Sequence, residues 1–204
     1  MRRRGFTLVE LAIATVITVL AAGAVAGTLR AVSDAMQEQD RVADGAARLA
    51  RADARMADHL ERARLVLHQD GDEALLWLPS EPFDSSANNT SDYDTIHLNE
   101  LAWYVLDAEA GTLSLHIASN RSARTTYSLS TDWDALRVSL QTSAALASTT
   151  VLEGLADGGF LVEDADACSV RRVTFAGHFD LGRGGMPVRL GGRLPNGQRH
   201  PDCP

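Results

Sequence analysis

One apolar segment near the N-terminus limits the possible folds more than any other feature of the chain. Residues 6–29 read FTLVELAIATVITVLAAGAVAGTL and contain a single charge, Glu10. As a helix rising ~1.5 Å per residue, the segment would be ~36 Å long, enough to cross a hydrocarbon core ~30 Å thick. It is preceded by Arg2, Arg3 and Arg4, so the positive-inside rule predicts a cytoplasmic N-terminus. The sequence therefore predicts a single-pass membrane protein with an exported C-terminal body.

Glu10 is an unusual residue for such a segment. A carboxylate costs on the order of 3 kcal/mol at the centre of a membrane, and less near an interface, so it usually has a partner there. The apolar run contains no Lys, Arg or His. The remaining candidate is an α-amine, which cleavage between Gly5 and Phe6 would create about one helical turn from Glu10 or beside the Glu10 of a neighbouring copy.

The segment RGFTLVE at residues 4–10, followed by the apolar run, resembles the class III signal of type IV pilins and type II secretion pseudopilins. The resemblance implies that a membrane prepilin peptidase cleaves after Gly5 and methylates the new N-terminal residue, Phe6. It also implies that Glu10 pairs with the N-terminal amine of an adjacent subunit during filament assembly. The expected partners are the prepilin peptidase, other pilin or pseudopilin subunits and an inner-membrane assembly platform.

A fainter similarity concerns the C-terminal body. The pattern W-Y-x-L-D…G-x-L at residues 103–113 and a late V-x-F strand at residues 173–175 resemble J-type minor pseudopilins and W-type minor pilins. The predicted function is accordingly a structural, minor subunit of a type II secretion pseudopilus or a type IV pilus. It would lie in a bacterial inner membrane, with its C-terminal domain in the periplasm.

Two other kinds of leader are compatible with the N-terminus. Arg3, Arg4 and the two residues after them resemble a twin-arginine signal, and residues 24–26 read AVA, a possible cleavage site. An ordinary signal anchor is the second alternative. A twin-arginine signal gains nothing from Glu10, and in an ordinary signal anchor the free-energy cost of Glu10 in the membrane would have no explanation. Either leader would leave a membrane-tethered periplasmic enzyme or binding module as the alternative function.

A helical pattern continues beyond the apolar run. Seven apolar residues recur at helical spacing in an otherwise charged segment: Val42, Ala46, Leu49, Met56, Leu60, Ala63 and Leu67. Asp53 interrupts this stripe, and four charged residues are expected on the solvent face: Asp44, Arg48, Asp58 and Arg62. The turn signal Asp70-Gly71 predicts the end of the helix.

Short strand-like runs follow residue 71. Strands are expected at residues 74–78, 101–106, 112–118, 124–129, 135–141, 169–179 and 187–193. The turn at residues 107–111 predicts a hairpin, residues 79–94 an exposed loop, and residues 144–159 either a short helix or a variable loop. The packed aromatic residues should be Trp77, Trp103, Tyr104 and Trp133.

The predicted fold is α+β, with a long N-terminal helix packed on an antiparallel sheet as in pilins. The expected segments are a leader peptide at residues 1–5, a transmembrane helix at 6–29, its amphipathic continuation at 30–70 and a β-rich periplasmic domain at 71–204.

Composition and motifs argue against several other functions. The net charge is −8, and the body after the arginine cluster is more acidic still, which makes nucleic acid a poor partner. No catalytic motif is present and the six histidines are scattered, so neither an enzyme nor a cofactor or metal site is predicted. The acidic residues Asp157, Glu163, Asp164 and Asp166 lack EF-hand spacing, which favours a solvated loop over a calcium site. His178 and Asp180 are interpreted as a surface pair.

Cys168 and Cys203 are the only cysteines. Because the body is expected in an oxidising compartment, the two are predicted to form a disulfide that ties down the C-terminal segment. The alternative is two unrelated thiols, with Cys203 a bystander in a disordered tail after Pro195.

Overall fold

A computed structural model describes residues 7–79, 95–120, 122, 125–163, 172–180 and 185–194. The chain divides into two compact units, Met1–Gly45 and Ala46–Pro204. Helix α1, Leu8–Arg62, begins in the first unit and ends in the second. Antiparallel sheets follow it, so the predicted α+β class, with the layout of a pilin-like fold, is confirmed.

In the first unit, the described residues belong to α1 or immediately precede it. Threonine hydroxyls within the apolar part are satisfied by the helix itself. The hydroxyls of Thr15 and Thr18 donate hydrogen bonds to the carbonyls four residues earlier, at 2.7 and 2.8 Å. A helix whose polar groups are all paired internally suits an apolar environment, where water is not available to them.

The described residues of the second unit form the end of α1, a short 3-10 helix at Leu98–Glu100, a second α-helix and ten strands. The second helix, α2, is Trp133–Thr142. The strands are β1 Leu65–Gln69, β2 Glu73–Trp77, β3 Ile96–His97, β4 Leu101–Asp107, β5 Thr112–Ala118, β6 Thr126–Tyr127, β7 Leu146–Glu153, β8 Leu155–Glu163, β9 Arg172–Asp180 and β10 Gly185–Arg193. They form a five-stranded sheet in the order β1-β2-β4-β5-β7, a three-stranded sheet β10-β9-β8 and a small pair β3-β6, with neighbours antiparallel throughout.

The five-stranded sheet is covered on both faces, which explains the continuous apolar run of β2. Successive side chains of a strand point to opposite faces. Ala74 and Leu76 accordingly join one core, while Leu75 and Trp77 join the other. The first core lies between this sheet, the three-stranded sheet and the last turns of α1. Its largest fully buried members include Met56, Leu60, Tyr104, Leu113, Leu152, Phe175 and Leu190. The second core includes Trp77, Trp103, Trp133 and Leu140, so the predicted packing of the aromatic residues is confirmed.

The predicted helical stripe is confirmed only in part. Met56, Leu60 and Ala63 are buried and Leu49 is half-buried against the first core. Val42 and Ala46, however, are exposed. The first buried apolar side chain of the helix is instead Ala52, a small residue next to the exposed Asp53. The charged residues predicted for the solvent face, namely Asp44, Arg48, Asp58 and Arg62, are exposed as expected.

The prediction that the helix continues to residue 70 is wrong. Helix α1 ends at Arg62, and β1 begins three residues later. The backbone N–H of Arg64 donates to the carbonyl of Trp77 at 2.9 Å, so pairing with β2 replaces helical hydrogen bonds. Leu67 therefore lies on a strand, where it packs against the second core. Asp70-Gly71 forms the turn of this β1–β2 hairpin rather than the end of a helix.

The strand predicted at residues 135–141 is also wrong, because this segment belongs to α2. Asp132 is the N-cap, and its side chain accepts a hydrogen bond from the backbone N–H of Ala135 at 3.1 Å. Trp133, Leu136 and Leu140 follow at helical spacing and face the second core. A capping aspartate followed by apolar residues three and four apart is a helix signal, and the local apolar content had masked it.

Residues 144–159 contain neither the helix nor the loop expected of them. They form β7 and most of β8, which belong to different sheets and meet at Gly154. Thr149, Thr150 and Val151 favour a strand, but the Ala, Ser and Gly around them weaken this signal, so pairing with β5 and β9 decides the structure. The predicted hairpin of β4 and β5 is confirmed, with Gly111 in its turn at φ +63°.

The remaining strand predictions differ mainly at their ends. The strand at 124–129 shortens to β6, and those at 169–179 and 187–193 correspond to β9 and β10. Of the predicted exposed loop at residues 79–94, residues 80–94 lie outside the described part of the chain.

Candidate functional site

Glu10 lies in the first turn of α1 and forms a capping box with Thr7. The backbone N–H and the hydroxyl of Thr7 both donate to Glu10 Oε2 at 2.9 Å. The backbone N–H of Glu10 lies 3.3 Å from the Thr7 hydroxyl oxygen and donates to it. These contacts satisfy two of the four N–H groups that a helix leaves unpaired at its start, and they place a negative charge at the positive end of the helix dipole. The chain thus supplies its own partners for a carboxylate in an apolar segment.

Sequence reasoning missed the role of Thr7. Its signal is present in the sequence as Thr7-Leu8-Val9-Glu10, since a Ser or Thr followed three residues later by Glu is the capping-box pattern. The charge of Glu10 predicts a cation as its partner, whereas in the structure the two hydrogen-bond donors of Thr7 compensate part of the cost of placing it in an apolar segment.

The helix after Glu10 has an uncovered apolar surface. Within the first unit, large apolar side chains lie on all sides of α1 and are more than half exposed, among them Leu8, Val9, Ile13, Ile17, Leu20 and Leu29. Among the described residues, α1 is the one helix long and apolar enough to cross a membrane, and none of its apolar window is buried. Such a surface suits an apolar environment rather than water.

Several predicted site residues fall outside the described part of the chain. These are the processing residues Gly5 and Phe6, and the two cysteines Cys168 and Cys203. Cleavage, methylation and the disulfide therefore remain predictions. The assembly residue Glu10 is described, and its neighbours are those given above.

The acidic cluster of the sequence is only partly described. Asp157 lies on β8 rather than in a loop, and its Oδ1 is 2.8 Å from Nδ1 of His178 on β9, both side chains being more than half exposed. His178 and Asp180 are both exposed, as expected of surface residues, and His178 has in addition a cross-strand contact with Asp157. Asp164, Asp166 and the side chain of Glu163 lie outside the described residues.

A second polar cluster joins the β1–β2 hairpin to α2 and was not found in the sequence. His68 Nε2 lies 3.4 Å from Glu73 Oε1 and 3.0 Å from Asp134 Oδ1. Arg137 Nε contacts Glu73 Oε2 at 2.6 Å. Burial raises the pKa of Glu73, and the neighbouring Asp134 raises it further, while Arg137 opposes both. His68, Glu73 and Asp134 are the three described residues whose ligand atoms come close enough to hold one metal ion.

Sequence spacing could not reveal this cluster. The β1–β2 hairpin pairs His68 with Leu75, and this register places Glu73, two residues before Leu75, diagonally across from His68. Asp134 comes from α2, next to the segment for which a strand is predicted. The cluster became visible only with the antiparallel register and with the helical state of residues 133–142.

A groove of about 340 Å³ runs between α1 and β7 in the second unit. Three guanidinium groups line it, those of Arg48, Arg51 and Arg55, and Arg48 lies 3.9 Å from Glu153 on the strand. The described residues around it offer charge for anion contacts, but no pairing of a nucleophile with a base.

Comparison with known proteins identifies the N-terminal segment. Residues 1–26 match the family model described as the prokaryotic N-terminal methylation motif. Neither a curated protein nor a solved structure matches the chain. Glu10, its capping threonine and the start of the uncovered apolar helix all lie within the matched residues. In residues 1–26 the chain therefore carries the N-terminal methylation motif that is the signature of type IV pilins and pseudopilins.

Proposed function

We propose that this protein is a structural subunit of a type IV pilus or a type II secretion pseudopilus, and a minor one. A prepilin peptidase would remove residues 1–5 and methylate Phe6. Residues 6–29 would then hold the subunit in the bacterial inner membrane, N-terminus inside, with the remainder in the periplasm. A structural rather than an enzymatic role follows from the same motif, since proteins with this signature are generally filament subunits.

One observation carries the proposal: the residues that match the methylation motif include the start of an apolar helix with Glu10 in its first turn, and none of the described residues buries the apolar part of this helix. In the membrane, lipid covers this surface. In a filament, the same surface would pack against the helices of neighbouring subunits, and its Leu, Val, Ile and Ala side chains suit both environments. A single helix can therefore act first as an anchor and then as the assembly element.

Glu10 would change partners during assembly. Before assembly, its carboxylate is held by Thr7 at 2.9 Å. In the filament, the methylated amine of a neighbour would add a charge-assisted hydrogen bond, which is stronger than a bond to a neutral hydroxyl. The capping box would thus lower the free-energy cost of holding the Glu10 carboxylate in the membrane until the amine of a neighbouring subunit binds it.

The test compares Glu10→Ala with Thr7→Val in cells that assemble the filament. Glu10→Ala removes the carboxylate needed by the neighbour, whereas Thr7→Val removes only the capping hydroxyl and leaves the backbone N–H in place. Membrane insertion should be retained by both variants. Loss of a charged hydrogen bond worth about 1.5–3 kcal/mol should lower the filament fraction of Glu10→Ala by about tenfold or more, while Thr7→Val should remain near wild type.

Immunoblots of membrane and filament fractions give both quantities. If Glu10→Ala enters filaments as efficiently as the unmodified protein, the proposed role of Glu10 is wrong. If Thr7→Val fails as severely as Glu10→Ala, the carboxylate acts by capping its own helix rather than by binding a neighbour.

A further inference from the structure

The cluster of His68, Glu73 and Asp134 has the chemistry and geometry of a metal site. We propose that it binds a single Zn²⁺ ion through His68 Nε2, Glu73 Oε1 and Asp134 Oδ1, which ties the β1–β2 hairpin to α2. The three residues come from three different elements of the second unit, since His68 lies on β1, Glu73 on β2 and Asp134 in the first turn of α2.

The distances between the ligand atoms fit one small cation. Bonds of about 2.0–2.1 Å to Zn²⁺ place tetrahedral ligand atoms about 3.3–3.4 Å apart and ligands at right angles about 2.9 Å apart. His68 Nε2 lies 3.4 Å from Glu73 Oε1 and 3.0 Å from Asp134 Oδ1, and all three ligand atoms lie within 4.8 Å of one another. Only small movements of these side chains would be needed to bring all three into bonding distance.

The buried atoms of the cluster point independently to a ligand. Glu73 is 5% exposed, and its Oε1 makes no hydrogen bond. Although His68 Nε2 is close to two carboxylates, neither contact has the geometry of a hydrogen bond. A buried carboxylate oxygen without a donor is costly, and a cation between the ring nitrogen and the two oxygens would satisfy all three atoms at once.

Arg137 does not occupy the proposed position. Its Nε contacts Glu73 Oε2, the other oxygen of the carboxylate, at 2.6 Å. Such a contact orients the carboxylate and leaves Oε1 facing His68, as groups around a metal commonly do for its ligands. Two carboxylates against one guanidinium also leave one negative charge in the cluster, which favours a cation.

The ligand types select the ion. A histidine nitrogen with two carboxylate oxygens suits Zn²⁺, whereas Ca²⁺ and Mg²⁺ prefer oxygen ligands alone. The side chain of Asp134 is 60% exposed, so a water molecule can reach the ion and complete four ligands. Since the hairpin and α2 are distant in sequence, an ion bound to both would stabilise the folded domain.

The test measures Zn²⁺ binding by the full-length protein, purified in detergent without a histidine tag. Isothermal titration calorimetry gives the stoichiometry and the Kd, and thermal unfolding with and without Zn²⁺ gives the stabilisation. At a free concentration 100-fold above Kd, Zn²⁺ should raise Tm by about 5–10 °C. Each of His68→Gln and Asp134→Asn should weaken binding by about tenfold or more and remove most of this shift.

The pair of His178 and Asp157 supplies the matched control. It is another histidine–carboxylate contact, at 2.8 Å on the three-stranded sheet, and no described carboxylate near it is buried. His178→Gln should keep the wild-type affinity and Tm shift. Circular dichroism without metal identifies any variant that fails to fold, and Asp134→Asn at an exposed helical position should pass this check. Failure of the wild-type protein to bind one Zn²⁺, or equal binding by His68→Gln, Asp134→Asn and His178→Gln, would overturn the proposal.

Discussion

Leu60 offers the sharpest test of how the end of α1 joins the domain. It is 0% exposed and lies in the first core, with Met56 one turn before it. Leu60 packs next to Gly192 on strand β10: a β-carbon built at Gly192 would lie 3.5 Å from Leu60 Cβ, an ordinary van der Waals contact. Leu60→Ala would therefore leave a cavity at a contact between a helix and a sheet, where neither side can easily collapse.

The expected loss for such a site is about 3–4 kcal/mol of unfolding free energy. For a domain of this size, about 2–4 °C of Tm per kcal/mol gives a drop of roughly 6–16 °C. Near-ultraviolet circular dichroism in detergent is the suitable assay, since Trp77, Trp103 and Trp133 are all buried in the second core and report on the domain rather than on the apolar helix.

Val42→Ala is the matched control, because Val42 belongs to the same predicted stripe yet is 42% exposed. A change at such a position should stay within about 0.5 kcal/mol. The reasoning fails if Leu60→Ala unfolds within 2 °C or so of the wild-type Tm, or if Val42→Ala lowers Tm by as much as Leu60→Ala does.

Three further predictions concern other parts of the domain. Glu100 is buried, and its Oε2 accepts hydrogen bonds from the Trp77 ring N–H at 3.0 Å and from the backbone N–H of His97 at 3.2 Å. Glu100→Gln should therefore lower the free energy of unfolding in urea by about 2 kcal/mol. An unchanged urea midpoint would refute this role. Burial, aided by a nearby arginine, lowers the pKa of His59. As the pH falls, the unfolded chain therefore takes up this proton before the folded protein does. The contribution of His59 to the free energy of unfolding is fully present above about pH 6.5 and falls as the pH drops below it. His59→Gln should make the free energy of unfolding less dependent on pH in this range. Cys168 and Cys203 should react with no thiol reagent in periplasm-derived protein until a reductant is added, and two free thiols would exclude the disulfide.

The sequence predicted those elements whose local pattern agrees with their final environment. The apolar run before residue 30 predicts a long helix, and the structure has one there. The hairpin of β4 and β5 has apolar strands on both sides of a turn that ends in Gly111. The end of α1 was not predictable from its stripe. Leu67 continues the helical spacing by coincidence, and the choice of strand over helix depends on hydrogen bonds to β2.

Tertiary contacts also decided the two other errors. Asp132 and the spacing of Trp133, Leu136 and Leu140 favour a helix, but the apolar segment 135–141 also suits a strand until the second core is known. Strand β7 mixes the strand formers Thr149, Thr150 and Val151 with Ala, Ser and Glu, and its pairing with β5 decides its state.

The candidate sites divide in the same way. Glu10 could be found from sequence because a charge in an apolar run is visible without a structure, and its capping partner Thr7 lies three residues away. The cluster of His68, Glu73 and Asp134 could not be found, because hairpin register and the packing of α2 bring its members together. Local motifs are thus readable in the sequence, whereas a site assembled across elements requires the fold.

The central claim is that this chain is processed as a prepilin, and the mass of the mature N-terminal peptide tests it most directly. Protein extracted from membranes of cells that contain a prepilin peptidase should yield an N-terminal peptide that begins at Phe6 and is heavier by one methyl group. The same peptide should be missing when the peptidase is inactivated. An N-terminus after Ala26, or an intact N-terminus in cells with active peptidase, would contradict the account.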